Sequence, residues 1–396
     1  MISSDSHVVE PGDLWLERLP AALRDRAPRA IQDPHNHHWY LGGPGLPRGV
    51  DLTLSRTAGL INAEVDATLA ADPGAWIGAK GGHDPVERLR DQWRDGVVAD
   101  VLYPTAGLSL LTYDDPELQL ACIRAYNQWL AEFCAVDGDR LLGLAMIPTW
   151  DIADGVHELE QAHAAGLRGG IIWTSPPDSR EHSFFSDHYE PLWAAAATLS
   201  MPLSVHILAG HRAKGMENWN KTVEGTFYFG FSSRDEVQRS LLELIAAAVF
   251  ERHPQLQIVA AEAGIEFVAR LEERADSTYT RFIAKMDSGM RMKPSEYFRR
   301  NVWCTYISDP IGLNNLRFTG AERFMWSNDY PHGAATWPNS RKVVESECAE
   351  FGVDDETIRK LTVTNVARLY GIDLAVVAEP SPMIATDPTL QEVTAP

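Results

Sequence analysis

The sequence predicts an α/β protein of the (β/α)8 TIM-barrel class. Three observations carry that expectation: about eight short apolar runs, amphipathic stretches between them, and acidic or imidazole side chains where the runs finish. The runs are MISSDSH at the start, VVADVLYPT from Val97, RLLGLAMIPTWD from Arg140, LRGGIIWTSP from Leu167, MPLSVHI from Met201, QIVAAEAG from Gln257, NVWCTYISDP from Asn301 and RFMWSNDYPH from Arg323. Between them, 116–135 places Leu118, Leu120, Ile123, Trp129 and Phe133 on a helical repeat, and 240–250 does so with Leu241, Leu242, Leu244, Ile245 and Val249. Strands alternating with helices of this kind make a parallel sheet wrapped by helices.

Two stretches interrupt the alternation. Residues 11–90 are rich in Pro, Gly, Trp and His, and residues 208–235 carry Gly, Lys, Trp and Phe. Each follows a strand end. In a barrel such loops lie on the catalytic face, so they are expected to cover substrate within one domain spanning 1–375. The segment 376–396, with several prolines and little apolar periodicity, is expected to be mobile.

The composition excludes several classes of function. Across 396 residues, 45% are hydrophobic and 23% charged, the balance of a chain that can bury a core. A formal net charge of -20 repels phosphate backbones and anionic membrane surfaces, so no nucleic-acid or membrane partner is expected. The cysteines, Cys122, Cys134, Cys304 and Cys348, show no CxxC spacing, which argues against a disulfide framework or a thiolate zinc site. Without a basic-then-apolar leader or an apolar run of membrane length, a cytoplasmic enzyme is expected, with a symmetric homodimer as the default assembly.

The chemistry sits at the strand ends. Asp5 and His7 are two apart in an extended segment, so their side chains leave the same face and can reach one ion. His206 closes an apolar strand, Glu262 interrupts IVAAEAG, and Asp329 ends FMWSND. Each would be a desolvated polar group without a partner. Taken singly they have other readings: His206 as a hydrogen-bonded structural residue, Asp5 as a cap or turn residue, Glu262 paired with Arg168, Asp329 as a helix cap. One shared cation accounts for all four together.

DSHVVEP at the start, PLSVH ending at His206, AAEAG around Glu262 and WSNDYPH near the end resemble the amidohydrolase-2 group of the amidohydrolase superfamily, over most of 1–372. The resemblance implies a (β/α)8 barrel binding one or two divalent metals, with Asp5 and His7 on the first strand, His206 on the fifth and Asp329 on the eighth. Two departures stand out. The first strand reads DSH where HxH or ExH is usual, and the sixth offers Glu262 where a histidine is common. Glu10, just past the first strand, adds a further acid that can fold back over Asp5 and His7, or else is a solvated loop charge.

Asp5, His7, Glu10, His206, Glu262 and Asp329 make four carboxylates with two imidazoles, the complement that di-iron carboxylate proteins use. The chain also resembles a smaller set of barrel proteins that includes a nonheme diiron monooxygenase of platensimycin and platencin diterpenoid biosynthesis. That likeness implies two iron ions, O2 as co-substrate and hydroxylation of an apolar small molecule, with acyl-CoA a candidate substrate. Trp15, Trp39, Trp219, Trp326 and Trp337 are available for an apolar wall, or serve as packing aromatics. Arg212, Lys214 and Lys221 are available for coenzyme A phosphates, or are solvated charges. The alternative is a hydrolase or nonoxidative decarboxylase using zinc or manganese, with Asp329 as general base and His332 or Glu262 shuttling protons. A noncatalytic barrel is the third reading, and the intact Asp5, His7, His206 and Asp329 set argues against it.

Overall fold

Each of the eight apolar runs forms a strand in the computed structural model, which describes residues 1–43, 50–75, 77–177, 179–210 and 223–390. In chain order, with a small hairpin supplying β2 and β3, they are β1 (Ile2–His7), β2 (Arg29–Gln32), β3 (Trp39–Gly42), β4 (Ala99–Tyr103), β5 (Leu141–Met146), β6 (Gly169–Ile172), β7 (Leu203–His206), β8 (Ile258–Ala261), β9 (Val302–Tyr306) and β10 (Phe324–Trp326). Eight of them hydrogen-bond in the order β1-β4-β5-β6-β7-β8-β9-β10, each neighbouring pair parallel. Every residue of these strands is buried, so both faces of the sheet are covered and the runs are apolar without alternation.

The sheet is nearly closed into a barrel. Its first and last strands meet where Ser4 Oγ donates to the Trp326 carbonyl at 2.9 Å and the Asp329 N–H donates to the Asp5 carbonyl at 3.1 Å. The chain therefore brings residues from its two ends side by side at the mouth.

Helices surround the sheet, and three of them begin at an Asp–Pro pair. Asp84, Asp115 and Asp309 cap the helices Pro85–Asp95, Pro116–Cys134 and Pro310–Thr319, each accepting from backbone N–H groups of the first turn. Proline at the first helical position gives up an N–H that has no partner in the helix anyway. Leu118, Ile123, Trp129 and Phe133 are buried on the helix Pro116–Cys134, as the periodicity predicts. The periodic stretch 240–250 is the end of a longer helix, Val223–Ala246, followed by the short helix Val249–Arg252.

The described residues within 11–90 carry structure of their own. The antiparallel pair β2 and β3 and the helix Asn62–Ala71 are held by His38, whose Nδ1 lies 2.7 Å from Asp51 and whose Nε2 lies 3.0 Å from Asp66. At the C-terminus, Arg140 donates to the carbonyls of Val376 and Glu379 at 2.7 Å, Arg90 pairs with Asp387 at 2.8 Å, and Val377, Ile384 and Leu390 are buried. These contacts dock 376–390 of the segment expected to be mobile, and 391–396 lie outside the described residues. Among the described residues no helix is long and apolar enough to cross a membrane.

Candidate metal centre

Three strand-borne side chains point one unpartnered atom each at a common point. Asp5 and His7 come from β1 and His206 is the last residue of β7. The Nδ1 of His7 donates to the Pro104 carbonyl at 2.9 Å, and that of His206 to the Ile207 carbonyl at 2.6 Å. A carbonyl can only accept, so the proton sits on Nδ1 in both rings and Nε2 faces the cluster. Asp5 Oδ2 accepts from the Thr305 hydroxyl at 2.9 Å, which leaves Oδ1. Asp5 Oδ1, His7 Nε2 and His206 Nε2 are all buried without a hydrogen-bond partner.

The distances fit a shared cation. Asp5 Oδ1 is 3.6 Å from His7 Nε2 and 3.7 Å from His206 Nε2, too long for hydrogen bonds. Donors about 2.1 Å from one ion and at right angles to each other are roughly 3 Å apart, so a small contraction completes the set. A carboxylate with two imidazoles suits manganese, zinc or iron. Burial, with His332 and His206 nearby, holds the His7 pKa well below its usual value, so its lone pair is available. Burial also acts to lower His206, but the Asp5 carboxylate and then Glu262 outweigh it and raise that ring to about 9. A cation at this point does the work that a proton on His206 otherwise does.

Asp329 and His332 form a second part of the cluster around the same His7. Asp329 Oδ1 lies 3.5 Å from His7 Nε2 and accepts from His332 Nδ1 at 2.9 Å. The other His332 nitrogen is 3.1 Å from Thr105 Oγ1, whose single proton is given to the Val8 carbonyl at 2.7 Å. His332 therefore donates from both nitrogens and carries a positive charge. Burial opposes that charge, and Asp329 followed by Glu262 overcomes it, raising the His332 pKa.

Glu262 follows β8 directly, with Oε2 3.6 Å from His206 Nε2. Burial and the neighbouring Asp329 charge push its pKa up to about 7. Glu262 and Asp329 both have left-handed backbone, at φ 53° and 56°. Non-glycine residues adopt that region at some cost, and it gathers at functional sites. The pairing of Glu262 with Arg168 does not occur, since Arg168 donates to the Gly138 carbonyl, where the chain enters β6.

Glu10 is not brought into this cluster. Its two oxygens accept from the Ala106 and Gly107 N–H groups at 2.9 and 2.8 Å, closing the first turn of the 3-10 helix Ala106–Thr112. Of the tryptophans, Trp15 is buried with Nε1 on the Cys122 carbonyl, Trp326 is buried at the end of β10, and Trp337 donates to the Asp91 carbonyl. Trp39 lies in the hairpin strand β3. Trp219, Arg212, Lys214 and Lys221 lie outside the described residues. Sequence reasoning missed Thr305 and Thr105, which contact Asp5 and His332. A threonine at a strand end reads as an ordinary strand former.

A family model described as Amidohydrolase matches residues 33–372. The γ-resorcylate decarboxylase of Rhodococcus jostii is 25% identical over 266 residues, 63% of this chain and 76% of that protein. Among solved structures, an amidohydrolase from Mycobacterium avium subsp. paratuberculosis aligns with a TM-score of 0.72 at 20% identity, covering 93% of this chain and 98% of the other. A dihydroxybenzoic acid decarboxylase from Polaromonas sp., with bound manganese and the inhibitor 2-nitroresorcinol, aligns with a TM-score of 0.61 at 18% identity, covering 82% and 95%.

These findings overturn the expected diiron monooxygenase. The relatives this chain resembles include decarboxylases and no oxygenase among those named above, and the expectation of two irons with O2 rested on a count of six donors. The count fails physically at Glu10, whose carboxylate is already taken up by backbone amides. With most of its length matched by the family model, this chain belongs to the amidohydrolase family.

Proposed function

We propose that the protein is a metal-dependent nonoxidative decarboxylase of a small aromatic acid, with one divalent ion such as manganese held by Asp5, His7, His206 and Asp329. The observation that carries this reading is the convergence of Asp5 Oδ1, His7 Nε2 and His206 Nε2, three buried donors with no partner among the described residues. The decarboxylases among its relatives support it. When bound, the ion supplies positive charge that binds and polarises the substrate carboxylate and an adjacent phenolate.

The chain's own groups handle the proton. Nonoxidative decarboxylation places a proton on the ring carbon, breaks the bond from that carbon to the carboxylate, and releases CO2. No oxidant is consumed. Asp329 takes a proton from His332 through their 2.9 Å hydrogen bond and passes it toward the ring carbon, and Thr105 holds the far side of the His332 ring. Glu262, whose Oε2 lies 3.6 Å from His206 Nε2, adds a second carboxyl group at the edge of the reacting centre. The described part of residues 11–90 reaches the mouth, where the Ala58 N–H donates to the Pro331 carbonyl at 3.0 Å, next to His332.

The test is release of CO2 from a panel of carboxyl-labelled hydroxybenzoates by protein stripped of metal and reloaded with manganese, in the absence of oxygen. Turnover of one member, abolished by chelation and restored by manganese, is expected. Manganese-loaded protein that releases no CO2 from any dihydroxy- or methoxyhydroxybenzoate overturns the reading.

A further inference from the structure

We propose that Thr305 is a positioning residue that aims Asp5 at the metal and ties it to the turn carrying Glu262. The inference rests on the metal site proposed above. Thr305 is buried near the end of β9, 300 residues from Asp5. Its hydroxyl has one proton, and that proton goes to Asp5 Oδ2 at 2.9 Å. The Thr305 hydroxyl oxygen itself accepts the Glu262 N–H at 2.7 Å, and the Thr305 carbonyl accepts the Gly264 N–H at 3.2 Å. One residue thus grips the first and third residues of the turn after β8 and one oxygen of the β1 carboxylate.

Two consequences follow from this geometry. Because Oδ2 accepts the Thr305 hydroxyl, the bond limits rotation of the Asp5 carboxylate, and Oδ1 is the oxygen that would be offered to an ion. The left-handed backbone of Glu262 is also held by the Thr305 bond to its own N–H. Gly264, at φ 76°, completes the turn, and a Cβ there would lie 2.2 Å from Glu266 Oε2. Removing the hydroxyl leaves Asp5 Oδ2 and the Glu262 N–H without their partner, in a buried site where neither is easily replaced.

The experiment is titration of the stripped protein with Mn2+, followed by the electron paramagnetic resonance signal of the free ion, for wild type, Thr305→Val, Thr305→Ser and His206→Ala. Thr305→Val is expected to weaken Mn2+ binding about 10- to 100-fold, with Thr305→Ser within about threefold of wild type because it keeps the hydroxyl. Equal affinity of the valine variant and wild type, or a serine variant as weak as valine, overturns the role of Thr305. If Thr305→Val does not fold, the serine variant alone decides. Wild type that binds no more Mn2+ than His206→Ala instead removes the metal site itself, and the two failures are told apart.

Discussion

His332 donates to Asp329 at 2.9 Å while its other nitrogen rests on Thr105, so the ring is clamped between an acid at the mouth and the loop after β4. This clamp separates holding a metal from moving a proton. His332→Gln is expected to lower kcat by about 10²- to 10⁴-fold, the range for loss of a proton-transferring group, while manganese affinity changes only a few-fold. Paired measurements of kcat and metal content check it. Parallel loss of both would make His332 a support for ligation.

His206→Ala removes one of the three converging donors at a strand end, outside the packed layers of the barrel. Metal content is expected to fall severalfold with the far-ultraviolet circular dichroism spectrum unchanged. Metal occupancy equal to wild type in the variant would place the ion elsewhere.

Glu10 gives a pH dependence with a definite sign. Burial pushes its pKa up to about 7, against the pull of the backbone N–H groups it accepts from. The folded state therefore binds the proton more tightly than the unfolded chain. Its contribution is complete below the unfolded carboxylate pKa and is lost as pH rises toward 7, a change on the order of 3 kcal/mol. Glu10→Gln cannot ionise and leaves one amide N–H facing an NH2 group, so it is destabilised most at pH 5 and gains on wild type by pH 8. Urea denaturation at the two pH values reads the difference. An unchanged gap between wild type and variant contradicts the assignment.

The C-terminal segment 374–390 anchors Val377, Ile384 and Leu390 in buried positions and meets Arg140 and Arg90. Ending the chain after Asp373 exposes these contacts, at an upper bound of roughly 9 kcal/mol for three apolar side chains. The melting temperature is expected to drop by roughly 5 °C, with manganese affinity retained. A melting curve that superimposes on that of the full chain would show the segment contributes nothing to stability.

The eight strands were legible because a parallel sheet covered on both faces needs uninterrupted apolar runs, and a charged residue at the end of such a run stands out. Asp5, His7, His206, Glu262 and Asp329 were found by that contrast, and all five line the mouth. Glu10 was misplaced because nearness along the chain says nothing of direction. After His7 the backbone runs alongside the loop that follows β4, Val8 N–H donating to the Tyr103 carbonyl, and the Glu10 side chain turns to Ala106 and Gly107. The hairpin of β2 and β3 was invisible, since its four-residue strands carry no alternation strong enough to read. The oxygenase expectation failed for a related reason. A tally of donor types contains no distances, and ligand number is a matter of distance.

The join between Asp5 and Asp329 has a consequence for biosynthesis. A ribosome that has released the first three hundred residues has delivered Asp5, His7 and His206 but not Asp329 or the last strand of the barrel. If the proposed site holds an ion, its capture must wait for the final stretch to emerge, so manganese uptake by stalled nascent chains of increasing length is expected to rise only once Asp329 is included.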